Sequence, residues 1–278
     1  MEHLQHFGLS RDPFASDPRP HAYVESEGHQ QAERRVRRAL AQKKALTVLL
    51  GAPGVGKTLL VRRLLEGLEE EVYDISLLVP LQGVADTAWV LSRFAQQLEV
   101  DAPSPEPAGL LGQIYEKLAI IREDGRHAVL MIDEAHVLCS SSTLREVRGL
   151  LNLEYEDQRL LSLVLVGLPE LEAALARDPS LSGRVDLKVR IGGLAEHEAV
   201  TYLRERLESV GADPTLFGDD AIQALAGRAA GRPRLLNTLA DNALYEAFAA
   251  GDTAVGAGHV ERAAQDLQGS GDAEAPPA

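Results

Sequence analysis

The chain has 278 residues, 45% of them hydrophobic but only 4% aromatic, which suits one large domain or two modest ones packed mainly with Leu, Val, Ile and Ala. A formal net charge of −14 repels a phosphate backbone and argues against broad, non-specific nucleic-acid binding, while leaving room for a local basic patch. The single cysteine, Cys139, excludes an internal disulfide, and no apolar run reaches the ~18 residues of a membrane-spanning helix.

The N-terminus has no basic segment followed by an apolar one, so the expected compartment is the cytoplasm. Residues 1 to 27 read as irregular, with Pro13, Pro18 and Pro20 breaking any helix. His3, His6, His21 and His29 lack a metal-binding spacing and read as surface residues. From Gly28 to Lys44 the pattern is helical: Ala32, Val36, Ala39 and Leu40 share a face, and Arg34, Arg35, Arg37 and Arg38 take the rest. Short buried strands follow at 45–50, 71–80, 127–133, 160–167 and 186–191. Between them the periodicity predicts a helix after the first strand, one over 86–98 capped by Asp86, one from the Pro-rich loop 101–109 to about Ile121, and one over 142–156. After Gly193 only helices are expected, at about 195–209, 219–229, 233–250 and 258–267. The tail 268–278 has the composition of a disordered segment.

Strands alternating with helices imply an α/β domain with a parallel sheet covered on both faces, at 28–192. An all-helical lid at 193–267 follows it.

"GAPGVGKT", Gly51 to Thr58, matches the phosphate-binding loop pattern in full. Glycines let backbone N–H groups turn inward around phosphates, and the following helix adds its positive end. Gly51, Pro53, Gly54, Val55, Gly56, Lys57, Thr58 and Leu59 are the candidate ATP-binding residues. Lys57 would pair with phosphate oxygens, and the Thr58 hydroxyl would ligate Mg²⁺. "AVLMIDEAH" ends an apolar strand in two acids: Asp133 to hold Mg²⁺ and Glu134 to activate water. A phosphate-transferring kinase does not need the second acid; an ATP hydrolase does. Arg184, just before the fifth strand, is placed to reach the γ-phosphate of a neighbouring subunit, and Arg234, at the start of a lid helix, to reach the nucleotide in its own subunit.

The order of these features resembles AAA+ ATPases, and more narrowly the ExeA/general secretion pathway protein A group, itself related to transposition ATPases of the TnsC/TniB type. The stretches that carry the likeness are "FGLSRDPF", "HAYVES", "GAPGVGKT", "MIDEAH", "LREVRGLLNLE", "LVLVGLPEL", "GRV" and "GRPRLLN". The resemblance implies a five-stranded parallel sheet in the order 5-1-4-3-2, an arginine-finger role for Arg184 and a sensor role for Arg234. It also implies that residues 1–27 and the lid lie near the nucleotide. Two positions depart from the group: Leu168 and His136 stand where glutamine is usual. Leu168 offers no hydrogen bond to lytic water, so slow or partner-dependent hydrolysis is expected.

The implied function is an oligomeric ATPase, ring or filament, that drives or gates assembly of a protein partner, with envelope secretion, pilus and polysaccharide systems as candidates. The alternatives are an ATP-dependent DNA-binding regulator, for which the arginine cluster with Lys43 and Lys44 speaks, and a nucleotide-gated binding module with little turnover.

Overall fold

The computed structural model describes residues 2–15, 26–140 and 143–269. They form two compact units. One comprises Glu27–Ala52 and Lys57–Ile191; the other gathers the described residues up to Ser26, the short stretch Pro53–Gly56 and the described residues from Gly192 onward.

In chain order, α1 (Glu2–His6) belongs to the second unit. The first unit then runs α2 (Glu27–Ala41), β1 (Leu46–Gly51), α3 (Lys57–Glu66), β2 (Tyr73–Leu78), α4 (Thr87–Gln97), α5 (Pro107–Glu123) and β3 (His127–Ile132). A 3₁₀ turn (Ala135–Ser140), α6 (Thr143–Val147), a second 3₁₀ turn (Arg148–Asn152), β4 (Glu154–Tyr155), β5 (Gln158–Arg159), β6 (Leu161–Gly167), α7 (Glu170–Ala176), α8 (Pro179–Ser182) and β7 (Val185–Ile191) complete it.

Five strands pair in parallel in the order β2-β3-β6-β1-β7. With the two-residue strands β4 and β5 set aside, this is the expected 5-1-4-3-2 arrangement. β1, β3 and β6 are buried at every position, as continuous apolar runs must be when helices cover both faces of a sheet. The edge strand β7 alternates, with Asp186, Lys188 and Arg190 outward. Asp86 caps α4 by accepting from the Trp89 N–H at 2.8 Å. α5 begins inside the expected Pro-rich loop, because Pro107 fits the first helical turn, where no N–H is needed.

Three expectations need correction. The helix expected over 142–156 is broken. Leu144, Val147, Leu150 and Leu151 are buried as their spacing suggested, but the chain tightens to 3₁₀ and then turns back as the antiparallel hairpin β4–β5. Glu156 and Asp157 at its tip have φ of 50° and 58°, the left-handed pair that a two-residue hairpin turn requires. His29 is buried on the inner face of α2 rather than on the surface. Residues 2–15 are not wholly irregular, since they include α1. The readings placed on Pro18, Pro20, His21 and on 270–278 lie outside the described residues.

The second unit is built on α9 (Glu196–Glu208), α10 (Asp219–Ala229), α11 (Pro233–Ala250) and α12 (Ala257–Gly269). Leu203, Leu225, Leu244 and Val260 are among its core residues, and Leu4, Leu9 and Phe14 pack into the same cluster. Phe14 meets Phe217 edge-on, with ring centroids 5.5 Å apart. Arg206 donates to the Ala15 carbonyl at 2.7 Å, tying the N-terminal segment down.

Candidate functional site

β1 ends at Gly51 and α3 begins at Lys57, so the Gly-rich stretch is a strand-to-helix turn. Gly54 and Gly56 have φ of +77° and +101°, values that side-chain-bearing residues rarely adopt. Gly54 is constrained twice over: a Cβ there would lie 3.3 Å from the Arg234 Cβ within the second unit. Val55 is buried and anchors the turn. Lys57 is only 5% exposed, and its Nζ donates to the Gly51 and Ala52 carbonyls, each at 3.0 Å. The ammonium is thereby held beneath the turn.

Thr58 follows on α3, and its Oγ1 donates to Asp133 Oδ2 at 2.7 Å. Asp133 stands just past β3 and is 1% exposed. Its N–H donates to the Leu78 carbonyl at the end of β2, and its Oδ1 accepts the Glu134 N–H, both at 2.9 Å. A buried carboxylate beside a hydroxyl at the start of a helix is an all-oxygen donor set, the chemistry that suits Mg²⁺. The residues therefore fit the ion.

Glu134 has φ +55°, a left-handed backbone in a residue with a Cβ, which costs about 1–2 kcal/mol. That turn lifts its side chain away from the buried Asp133 and leaves it 40% exposed. The Glu134 carboxylate lies 3.4 Å from His136 Nδ1. His136 entered the sequence reading only as a departure from a family pattern; the sequence carries no signal of its approach to Glu134. At the end of β6, a Cβ on Gly167 would lie 3.1 Å from the His136 backbone N, so Gly167 lets the two segments close up. Leu168 is half-buried and starts the turn into α7, accepting from the Leu171 N–H at 3.0 Å. Neither residue brings a polar side chain.

Arg184 lies elsewhere. It precedes β7, whose first residue, Val185, faces Leu46, while its last, Ile191, faces Gly51. At about 3.3 Å per residue the strand separates Arg184 from the phosphate loop of its own subunit by roughly 20 Å. Arg234, exposed at the start of α11, has its backbone N–H 3.4 Å from the Gly54 carbonyl within the second unit.

An AAA domain family matches residues 38–175, a span that includes the loop, Asp133 and Glu134 and stops before Arg184. General secretion pathway protein A of Aeromonas hydrophila is 32% identical over 273 residues, covering 96% of this chain and 49% of that protein. An ORC1-type DNA replication protein of Cenarchaeum symbiosum (strain A) is 28% identical over 242 residues, covering 80% of this chain and 57% of the relative. The chain thus spans about half the length of the curated relatives it matches. Among solved structures, Cdc6p from Pyrobaculum aerophilum superposes with a TM-score of 0.69 at 19% identity, over 93% of this chain and 72% of that one.

Sheet order, phosphate loop and matched domain together define the class: the chain is an AAA+ P-loop ATPase, a nucleotide-binding protein. Within that class it belongs with the ExeA-like group, the relatives of general secretion pathway protein A. No helix among the described residues is long and apolar enough to cross a membrane.

Proposed function

We propose that the protein hydrolyses ATP at interfaces between copies of itself and uses the cycle to drive or gate the assembly of a protein partner, as the likeness to a secretion pathway protein suggests. The observation that carries this reading is the arrangement at the end of β3. Asp133 is buried and bonded to Thr58, and Glu134 is swung clear of it by a left-handed backbone. Two adjacent acids thus have different environments and different tasks. Asp133 and Thr58 would hold Mg²⁺, which when bound offsets phosphate charge. Glu134 would take the proton from the attacking water. Backbone N–H groups of the stretch Gly51 to Leu59, Pro53 excepted, and the Lys57 ammonium would hold the phosphates.

The position of Arg184 supports the oligomeric part. An arginine about 20 Å along the strand from its own loop is better placed to serve a γ-phosphate in a neighbouring copy. Arg234 is assigned the stabilising role within its own subunit. ATPase rate per subunit, measured against protein concentration, tests both halves. It should rise with concentration and collapse in Arg184→Ala. Mixing Arg184→Ala with Lys57→Ala protein should restore part of it, because each supplies what the other lacks. Failure of the mixture to recover would rule out the shared site.

A second reading has its own support. Arg34, Arg35 and Arg38 share the outer face of α2 around one recess, while Arg37 is turned aside to Glu33 and the Arg63 carbonyl. Such a face suits a phosphodiester backbone, and one relative is named a DNA replication protein. Stimulation of the ATPase by double-stranded DNA, lost in Arg34→Gln/Arg38→Gln protein, is the result this reading requires.

A further inference from the structure

Strands β3, β6 and β1 are neighbours, so their first residues lie together at the edge of the sheet away from the phosphate loop. Topology gathers five residues there from distant parts of the chain. Lys43 stands in the turn before β1, held at φ +49° with its N–H on the Leu40 carbonyl. Arg122 ends α5 and donates to Gln158 of the hairpin. His127 opens β3 and Ser162 lies near the start of β6; Val129 pairs with Ser162 across the ladder. Arg159 closes the hairpin just before β6.

Three cations in one place call for counter-charge. Among the described residues no carboxylate pairs with Lys43, Arg122 or Arg159. Of the acids nearby, Glu123 accepts from the Tyr155 hydroxyl at 2.9 Å, Asp74 and Asp124 pair with Arg126, Asp186 pairs with Lys44, and Glu154 faces Arg159 across the hairpin ladder without forming an ion pair. In a chain of net charge −14, leaving three positive groups unneutralised together is not a matter of short supply.

Two buried polar atoms at the same place also lack partners. His127 is 2% exposed, and its Nε2 is satisfied by Ser162 Oγ at 2.9 Å, but its Nδ1 bonds to nothing. In the tautomer in which the Ser162 hydroxyl donates to Nε2, the ring proton is on Nδ1 as an unused donor. The Arg159 Nε–H is likewise buried without an acceptor. Buried donors left unpaired cost about 1–3 kcal/mol each, so an acceptor is expected. Burial, followed by the charges of Lys43, Arg122 and Arg159, pushes the His127 pKa down to about 4. Lys43 is shifted down as well, by burial and then by Arg122.

We propose that this edge of the sheet is a binding site for a phosphate-type oxyanion, with Lys43, Arg122 and Arg159 supplying charge and His127 Nδ1–H and Arg159 Nε–H supplying buried hydrogen bonds. An oxyanion meets every requirement at once: several acceptor oxygens, compact size and negative charge. The ligand is either free phosphate or the phosphomonoester of a small metabolite. The site is independent of the nucleotide loop, which lies at the other ends of the same strands.

The test reads the imidazole itself. In the full chain, the His127 ring resonance, assigned by its loss in His127→Gln, is followed against pH with and without inorganic phosphate, and separately with glycerol 3-phosphate. A bound anion adjoining the ring should raise the proton affinity of His127 about tenfold or more. Phosphate bound at the nucleotide loop is too far away to do so. An effect from inorganic phosphate assigns the free ion, and one confined to glycerol 3-phosphate assigns the monoester. In either case Arg159→Gln should abolish it, with Arg122→Gln taking its place if the first variant does not fold. An unchanged His127 titration with both probes, or the same rise in the folded arginine variant, overturns the proposal.

Discussion

The two ends of the central strands are built on opposite principles. At the end where β1 and β3 finish, charge is matched inside the chain: Lys57 sits on two carbonyls, and Asp133 is bonded to Thr58 and to the Glu134 N–H. The backbone there turns left-handed at Gly54, Gly56 and Glu134, and is strained at Glu134, the one of the three with a Cβ. At the end where β3 and β6 begin, Lys43 is also left-handed, but the chief imbalance is in the side chains, with three cations and two buried atoms without partners. Parallel strands explain the asymmetry in part. Loops leaving the strand tips place consecutive residues around a ligand, whereas the entry ends collect single residues from separate segments. A site of the first kind is written as a motif. One of the second kind exists only after folding.

Substitutions can sharpen this contrast. The largest effect is expected at Glu134. Glu134→Gln keeps size and hydrogen-bonding capacity but cannot accept the water proton, so turnover should fall about 10²–10⁴-fold while ATP still binds. A loss of binding in place of turnover would remove the general-base role. Lys57→Ala should be smaller and of the other type. It removes charge-assisted contacts worth about 1.5–3 kcal/mol, so affinity for a fluorescent ATP analogue should drop roughly 10- to 100-fold. Retention of full affinity would sink the phosphate-loop reading. Neither change should alter the titration of His127, because both act at the other end of the strands.

The same contrast explains what was legible beforehand. The order of strands and helices came through because β1, β3 and β6 are predominantly apolar runs, broken only by Thr47, His127 and Ser162, and the helices between them keep their period. Gly51 to Thr58 and Asp133–Glu134 are contiguous, so their chemistry stands in the text of the sequence. The hairpin β4–β5 did not, because Leu144, Val147, Leu150 and Leu151 repeat with helical spacing and a 3₁₀ turn can bury the same face. Glu156 and Asp157 are not glycine or asparagine, so nothing marked the turn. His29 was read as surface with the other N-terminal histidines because none has a metal-binding spacing, although α2 turns it inward. Leu168 was weighed as a missing hydrogen bond. That Gly167 lets β6 approach the backbone of His136 is a matter of three-dimensional closeness, with no trace in the local pattern.

The pH dependence of stability breaks or sharpens the comparison last. His127 is held neutral in the folded chain with a pKa of about 4, against 6.5 for an ordinary imidazole. Between those values the unfolded chain takes up a proton that the native state refuses. Stability from this group is therefore complete above pH 6.5 and is lost as the pH falls toward 4, by roughly 3 kcal/mol in all. In His127→Gln that part of the slope should vanish, since glutamine keeps a hydrogen bond to Ser162 and does not titrate. Denaturant unfolding of both proteins at pH 7 and pH 5 checks it: the wild type should lose more on acidification than the variant. Equal losses would mean that His127 is already charged in the native state. The cations around it would then have to be balanced by acids, and the two ends of the sheet would be matched in the same way.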